Sequence, residues 1–549
     1  MSDQQPQPDA TDSPTTIVVQ RAWRCTLAPT PAQQQMLCQH AGAARWAFNL
    51  ALSAKIVSRG VWEQRVQALV DEEGVPEDQA RKQVKVKTPG SNVLDKARVR
   101  VRGTDRWGER CTADWVDARR VLTDNKIDEE VADEILTRWA SRVDDPSEGI
   151  APWLAEVPNS LVQRGEKNAD KAWQTWMDSV TGRRKGRRVG FPRFKKRGVR
   201  DSFYLTNTES GPCLGSNRHV RLGGKLGTVR VCDADGKRAL RRLHRRLRQG
   251  TCRIMSVTVS RGGHRWYASV MTEETLPAPR PSRRAVEAGT IGVHLGVHDR
   301  AVLSTGEIIE NPRIKARHAR AIAKAQRALA RTGWTVNDDG RKRPTRRREK
   351  ARQRVARLAH LEAQRRNTHT HHLSKRLAAE YAEIVMLDLD IQGMTRTARR
   401  CRPPLHGWDA QAKRTANTAF LDVAPFELRR QVAYKTTWRG ARLTVAPKGT
   451  AVVGICPECG AVRAKRPVRG DRITCPCGAV YGRGHAAALI LARHGAVACN
   501  TRETLNARGE DVRPTAPRDS GRSPVKREGP RHLRGSPLGS DAEAFPLRT

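Results

Sequence analysis

The chain has 549 residues, with 102 Lys and Arg against 57 Asp and Glu, a formal excess of +45. That length supports two to four domains with real cores, and a field of that sign and size requires a polyanion, nucleic acid, as partner. A genomic bias toward Arg and Ala codons explains part of the excess but not all of it. No run approaches about eighteen apolar residues, so a membrane span is not expected.

In chain order, "MSDQQPQPDATDSPTT" is polar, acidic and proline-bearing, which predicts a disordered lead rather than a signal peptide. "TIVVQRAWRCTLAPT" alternates as a strand. The following segment has helical spacing, with Thr30 as N-cap and Pro31 in the first position. Residues 60 to 150 hold charged helical patterns around Trp62, Trp107, Trp115 and Trp139, and a clearer amphipathic helix starts near Ala151. "TGRRKGRRVGFPRFKKRGVRDSFYLTN" then interleaves basic residues with Phe191, Phe194 and Phe203. A solvated loop is the plain reading; a surface that tracks a phosphate backbone and stacks bases is favoured. The candidate contacts are Arg183, Arg184, Lys185, Arg187, Arg188, Phe191, Arg193, Phe194, Lys195 and Lys196. "CRIMSVTVSRGGHRWYASVMTEE" is a hairpin turning at Gly262-Gly263; with the first strand it suggests a small antiparallel barrel assembled from both sides of the helical lobe.

From residue 281 strands alternate with helices, as in an α/β domain. "TIGVHLGVHDRAVLSTGE" gives two strands, and residues 312 to 380 give two long basic helices joined by the polar turn "TGWTVNDDGRKRPT". His369, His371 and His372 stand on the second of these without a nearby carboxylate pair, which favours surface groups over metal ligands. "EIVMLDLDIQGM" reads as a buried strand, "FELRRQVAYKTTWRG" as a helix and "ARLTVAP" as a strand. Of the twelve cysteines, eight are scattered singly. The other four, Cys456, Cys459, Cys475 and Cys477, form two knuckles with the spacing of a zinc ribbon, although the second is C-x-C, one residue shorter than usual. Clustered thiols in a reducing interior point to a cytoplasmic protein, and the aperiodic stretch from about 500 onward to a disordered basic tail.

These segments, in this order, resemble the transposon-encoded TnpB proteins and the compact type V CRISPR effectors related to them. The resemblance rests on "LAPTPAQQQML…GAARWAFN", "KGRRVGFPRFKKRGVRDSF", "IGVHLGVHDRAVLSTGE", "IVMLDLDIQGM", "LRRQVAYKTTWRGARLTV" and the cysteine ribbon running into "GRGHAAALI". It implies a multidomain α+β protein. A disordered lead (1–16) would precede a β-barrel wedge (17–52 and 181–280) with a helical recognition lobe (53–180). An RNase H-like RuvC domain with a basic helical hairpin (281–450), a zinc ribbon (451–481), the last RuvC helix (482–498) and a tail (499–549) would follow. The implied partners are a guide RNA and a double-stranded DNA target beside a short flanking motif, bound by a monomer or dimer at the bacterial nucleoid. Family members cut DNA with carboxylate-held Mg²⁺ at three positions, and these read His294, Leu387 and Gly484 here. Asp388 and Asp390 are close by, but a one-residue shift turns a side chain to the opposite face of a strand. The expectation is therefore structural zinc, no Mg²⁺ at the RuvC site, and a non-enzymatic, RNA-guided DNA-binding protein that blocks transcription or a mobile element. The alternatives are an active endonuclease with unconventional ligands and a non-functional relic that binds nucleic acid non-specifically.

Overall fold

The computed structural model describes residues 16–497, apart from 106, 185, 187, 200, 207–212, 338–339, 341, 402–404 and 463–471. The lead and tail expected to be disordered fall, but for Thr16, outside the described residues. The fold is mixed α+β, in two compact units, one of Gln20–Glu274 and one built mainly from Thr275 onward. No described helix is long and apolar enough to cross a membrane.

In the first unit, β1 (Thr16–Ala28) enters α1 (Pro31–Glu72). The Thr30 hydroxyl accepts from the Gln33 amide at 3.3 Å, and the Gln33 side chain accepts from the Thr30 amide at 3.1 Å, a reciprocal cap. Without a proline or a paired glycine after Pro31, α1 runs unbroken through residue 52. α2 (Glu77–Gln83), α3 (Ser91–Arg100), α4 (Trp115–Asp124), α5 (Glu129–Ala140) and α6 (Asn159–Val180) complete the helical part. The face of α1 bearing Ala44 and Ala47 lets α6 approach closely at Gly165, where a Cβ would lie 2.8 Å from the Ala44 carbonyl oxygen. Arg98, fully buried, donates to Glu166 at 2.8 Å and also pairs with Asp95. A buried charge is tolerable only when it is partnered in this way.

The same unit carries a seven-stranded sheet. β2 (Ser202–Thr206), β3 (Cys213–Ser216), β4 (His219–Arg221), β5 (Thr228–Val231), β6 (Cys252–Gly262) and β7 (Arg265–Pro277) join β1 in the order β2-β6-β7-β1-β5-β4-β3. The β6–β7 hairpin closes with Gly262 opposite Arg265. Between β5 and β6 lies α7 (Ala234–Arg248), an element not among those expected from the sequence. The expected closed barrel is seen, among the described residues, as an open sheet with β2 and β3 at its edges. Phe203 lies on β2, 3 % exposed and paired with Val259, so it belongs to the core rather than to a base-stacking surface.

The second unit opens with α8 (Arg283–Ala288), β8 (Thr290–Leu295), β9 (Asp299–Leu303) and β10 (Ile308–Glu310). Helix α9 (Ile314–Ala330), the ribbon β11 (Trp334–Val336) and β12 (Lys342–Pro344), and α10 (Arg346–Glu380) come next. The joining segment expected as a turn is thus a two-stranded ribbon. Then follow β13 (Glu383–Leu387), α11 (Ile391–Met394), α12 (Gly407–Val423), α13 (Pro425–Thr437), β14 (Arg442–Ala446), β15 (Arg472–Thr474), β16 (Val480–Gly482) and α14 (Arg483–Val497). The main sheet has the order β10-β9-β8-β13-β14, with β13 parallel to both β8 and β14 and β9 antiparallel to β8. Because side chains alternate across a strand, Ile291, Val293, Ile384 and Met386 pack with Leu373 and Leu377 of α10 and Leu428 and Val432 of α13. Val385 and Leu387 point the other way, to Ala487 and Leu491 of α14.

Candidate functional site: strand ends, a basic surface and a cysteine cluster

Parallel β8 and β13 run side by side, Val293 opposite Met386, so His294 and Leu387 reach the same end of the sheet one residue later. In open α/β sheets the crevice beyond the carboxyl ends of parallel strands is where ligands bind. The third position, Gly484, lies in the first turn of α14. Its close neighbour is Val302, which pairs with His294; a Cβ on residue 484 would sit 2.8 Å from Val302 Cγ2. The structure therefore brings His294, Leu387 and Gly484 to one end of one sheet, and fills the space beside Gly484 with an apolar side chain.

The polar groups at this end include two imidazoles and a guanidinium. Burial, and then the nearby Arg483, lower the His294 pKa below its ordinary value, which favours the neutral ring. His485 Nε2 lies 3.1 Å from the Ser304 carbonyl oxygen, and the Ser304 hydroxyl accepts from the Gly292 amide at 3.1 Å. Asp388, one residue past Leu387, pairs with Arg429 of α13 and lies 3.9 Å from Lys448. Asp390 accepts from the Gly393 amide at 3.1 Å and caps α11. Both carboxylates are committed elsewhere, and this donor set does not fit Mg²⁺, which takes hard oxygen ligands in octahedral array.

The predicted basic segment is docked along part of its length. Phe191 packs edge-on against Trp173 and Trp176, with ring centroids 5.8 and 4.8 Å away, and Arg59 lies over the Trp176 ring at 4.7 Å. Phe191 is therefore an anchor as well as a surface group. Asn49 of α1 accepts from the Lys195 amide at 2.8 Å and donates to its carbonyl at 3.0 Å, and Lys195 Nζ lies 4.0 Å over Phe48. Arg183, Arg184, Arg188, Arg193, Phe194 and Lys196 are exposed, whereas Lys185 and Arg187 lie outside the described residues. Helix α10, the second of the two long basic helices expected from the sequence, carries eleven Lys and Arg against three Glu and has no buried residue before Thr370. Its arginine density was visible, but not how much of its first half stays uncovered. His371 sits beside Lys435, and burial followed by that charge lowers its pKa.

Cys456, Cys459, Cys475 and Cys477 converge, their sulfurs all within 4.8 Å of one another. Cys456 Sγ is 3.8 Å from Cys477 Sγ, and Cys459 Sγ is 3.6 Å from Cys475 Sγ. Tetrahedral thiolates at Zn–S of about 2.3 Å stand about 3.8 Å apart, so the four sulfurs fit a single metal ion. The short C-x-C knuckle keeps the backbone bonds of a turn: Cys475 N–H donates to the Ala479 carbonyl at 2.8 Å, and Gly478 N–H to the Cys475 carbonyl at 2.9 Å. No other cluster of metal-ligating side chains, the three α10 histidines included, is present among the described residues.

Comparison with known proteins gives the following. The family described as "Probable transposase" (OrfB_IS605) matches residues 270–398, and a helix-turn-helix domain of the same family matches 19–59. A "Putative RNA-guided DNA endonuclease" of Streptomyces pristinaespiralis is 32 % identical over 284 residues, which are 51 % of this chain and 61 % of that protein. The chain thus matches about three-fifths of that relative's length. The InsQ protein of Escherichia coli K12, named in the same words, is 27 % identical, covering 63 % of this chain and 77 % of its own. A Mycobacterium tuberculosis protein, again so named, is 27 % identical over 529 residues, 94 % of this chain and 95 % of its own. Among solved structures, a Cas12f1–sgRNA–target DNA complex aligns at 9 % identity and a TM-score of 0.39, covering 87 % of this chain and 99 % of that one, too loose a likeness to carry weight. These relatives overturn one expectation. A chain lacking the three carboxylates was expected to be no enzyme, yet the proteins it is similar to are named as endonucleases. Three positions were too narrow a basis for that exclusion.

Proposed function

This chain belongs to the TnpB family, and from that premise we propose that it binds a guide RNA and, through pairing with that RNA, a matching double-stranded DNA beside a short flanking motif. The observation that carries this reading is the basic surface. Net charge of +45 is joined to an α10 whose first half exposes Arg346, Arg347, Arg352, Arg354 and Arg357. Such a surface follows phosphates and leaves sequence to base pairing. In this reading the seven-stranded sheet is the wedge, α2–α6 the recognition lobe, the five-stranded sheet the RuvC-like domain, and the cysteine cluster a structural Zn²⁺ ribbon. Occupancy of the target obstructs transcription there or movement of an element.

A second reading, favoured by the relatives' names, is guided cleavage of the bound DNA. Asp388 is a carboxylate one residue past the end of β13, and its departure from Arg429 would be required before it could hold a metal. One experiment separates the outcomes. The protein is purified from its host, its RNA is sequenced, and a plasmid carrying the matching sequence is incubated with the complex and Mg²⁺ or Mn²⁺. A discrete RNA matching chromosomal or plasmid DNA supports guided binding, and random fragments overturn it. Metal-dependent cutting that is lost in Asp388→Ala supports the second reading, and an intact plasmid overturns it.

A further inference from the structure

We propose that the β11–β12 ribbon at the tip of the α9–α10 hairpin is a fixed stacking platform for an unpaired base of the bound RNA, with Trp334 as its surface. The proposal rests on the RNA-guided reading and assigns part of the RNA contact to a place outside the predicted basic segment. Trp334 is 53 % exposed and Val336 62 %, an unusual exposure of apolar surface on a short ribbon. One face of the indole is covered: the Arg348 guanidinium lies 4.3 Å from the ring centroid. Arg348 is itself held, its Nη1 donating to the Thr332 carbonyl at 2.8 Å and reaching the Leu329 carbonyl and Thr332 hydroxyl at 3.4 Å. Those groups lie at the C-terminal end of α9, where a cation meets the partial negative charge of the last carbonyls. Trp334 is thereby fixed without being buried.

A rigid ring with one face covered offers its remaining surface at little further entropic cost. Stacking on such a ring is indifferent to base identity. The surroundings match a nucleic acid: Lys342, Arg343, Arg346, Arg347 and Lys350 are all exposed around the ribbon. RNA is the favoured occupant because unpaired bases in loops and bulges are what aromatic side chains recognise in RNA, while the target strand is taken up in pairing with the guide.

The test compares wild-type protein with Trp334→Ala and Trp334→Phe, each stripped of bound nucleic acid, for binding to the RNA that co-purifies with wild type and to oligo(dT). Trp334→Ala is expected to weaken RNA binding by roughly tenfold without changing its salt dependence, since the net charge is the same, and Trp334→Phe to retain most of the affinity. Ultraviolet cross-linking of the wild-type complex is expected to yield a nucleotide adduct on the peptide containing Trp334, a result that a merely structural tryptophan would not give. Unchanged RNA binding by Trp334→Ala, with no adduct, overturns the platform while leaving guided binding intact. A loss confined to oligo(dT) overturns the assignment to RNA. Failure of the wild-type protein to hold any discrete RNA overturns both the platform and the function on which it rests.

Discussion

At the scale of single residues, the strand-end cluster is determined by where a side chain has room and which way it points. Gly484 already lies against Val302 before any side chain is added, so a larger residue there overpacks the junction between α14 and β9. Gly484→Ala is expected to destabilise the protein by about 2 kcal/mol. The cost should fall when Val302→Ala is made in the same chain, so a double-mutant cycle followed by denaturant unfolding should return a favourable coupling; simple additivity would mean that the two positions do not crowd each other. The same directional logic governs Asp388. Its neighbour Leu387 faces α14 while Asp388 is turned to Arg429 on α13, which the two-residue period of a strand predicts from sequence alone. What the sequence did not disclose is the identity of the partner. Arg429 is one of two adjacent arginines in "LRRQVAYK", and only the helix phase shows that Arg429 takes Asp388 whereas Arg430 takes Glu427.

At the scale of elements, the basic segment near residue 190 is held by the aromatic pair and Ser179 on α6 and by Asn49 on α1. Replacing Arg183, Arg188 and Arg193 together with Gln is expected to lower the slope of log affinity against log salt by roughly 2, about 0.7 for each single-strand phosphate that is no longer neutralised. An unaltered slope would take the segment out of the interface. Elements with a strong local signature were legible before the structure: the capped start of α1, the β6–β7 hairpin, the apolar strands β8 and β13, and the cysteine knuckles. Elements without one were missed. α12 is sparse, burying Phe420, Asp422 and Val423, whereas α7 was passed over although Leu240, Leu243 and Leu247 recur at helical spacing among its arginines. The ribbon after α9 looked like a turn because three-residue strands carry almost no periodicity. The open edges of the large sheet were illegible for a different reason: closure depends on long-range pairing that no local pattern encodes.

At the scale of the whole molecule, the cysteine cluster is part of the second unit's packing rather than an appendage. Cys456 and Cys475 share an apolar cluster with Tyr481 and Ala486, and Arg493 of α14 donates to the Pro457 carbonyl. Loss of the metal should therefore be felt along α14 and in the sheet beneath it. Metal analysis is expected to find one zinc per chain, absent in Cys475→Ser. Extraction by a chelator is expected to lower the melting temperature and raise amide exchange in residues 483–497. A chelated protein with unchanged protection over α14 would show the ribbon to be independent of it.

The closeness of α14 to β8 has a consequence for how the chain is made. Gly292 lies so near the Ala488 carbonyl that a Cβ there would be 1.9 Å away, and Gly495 leaves similarly little room beside Val385. The sheet begun at residue 290 thus receives its second covering only when residues 483–497 have left the ribosome, after the cysteine knuckles have emerged. Until then the Val385 and Leu387 face lies open to chaperones, proteases and other nascent chains. The first unit has no such wait, because its own last strand precedes residue 280. Synthesis of residues 483–497 therefore sets the interval over which that face of the second unit is vulnerable, and a ribosome stalled short of α14 would leave it uncovered.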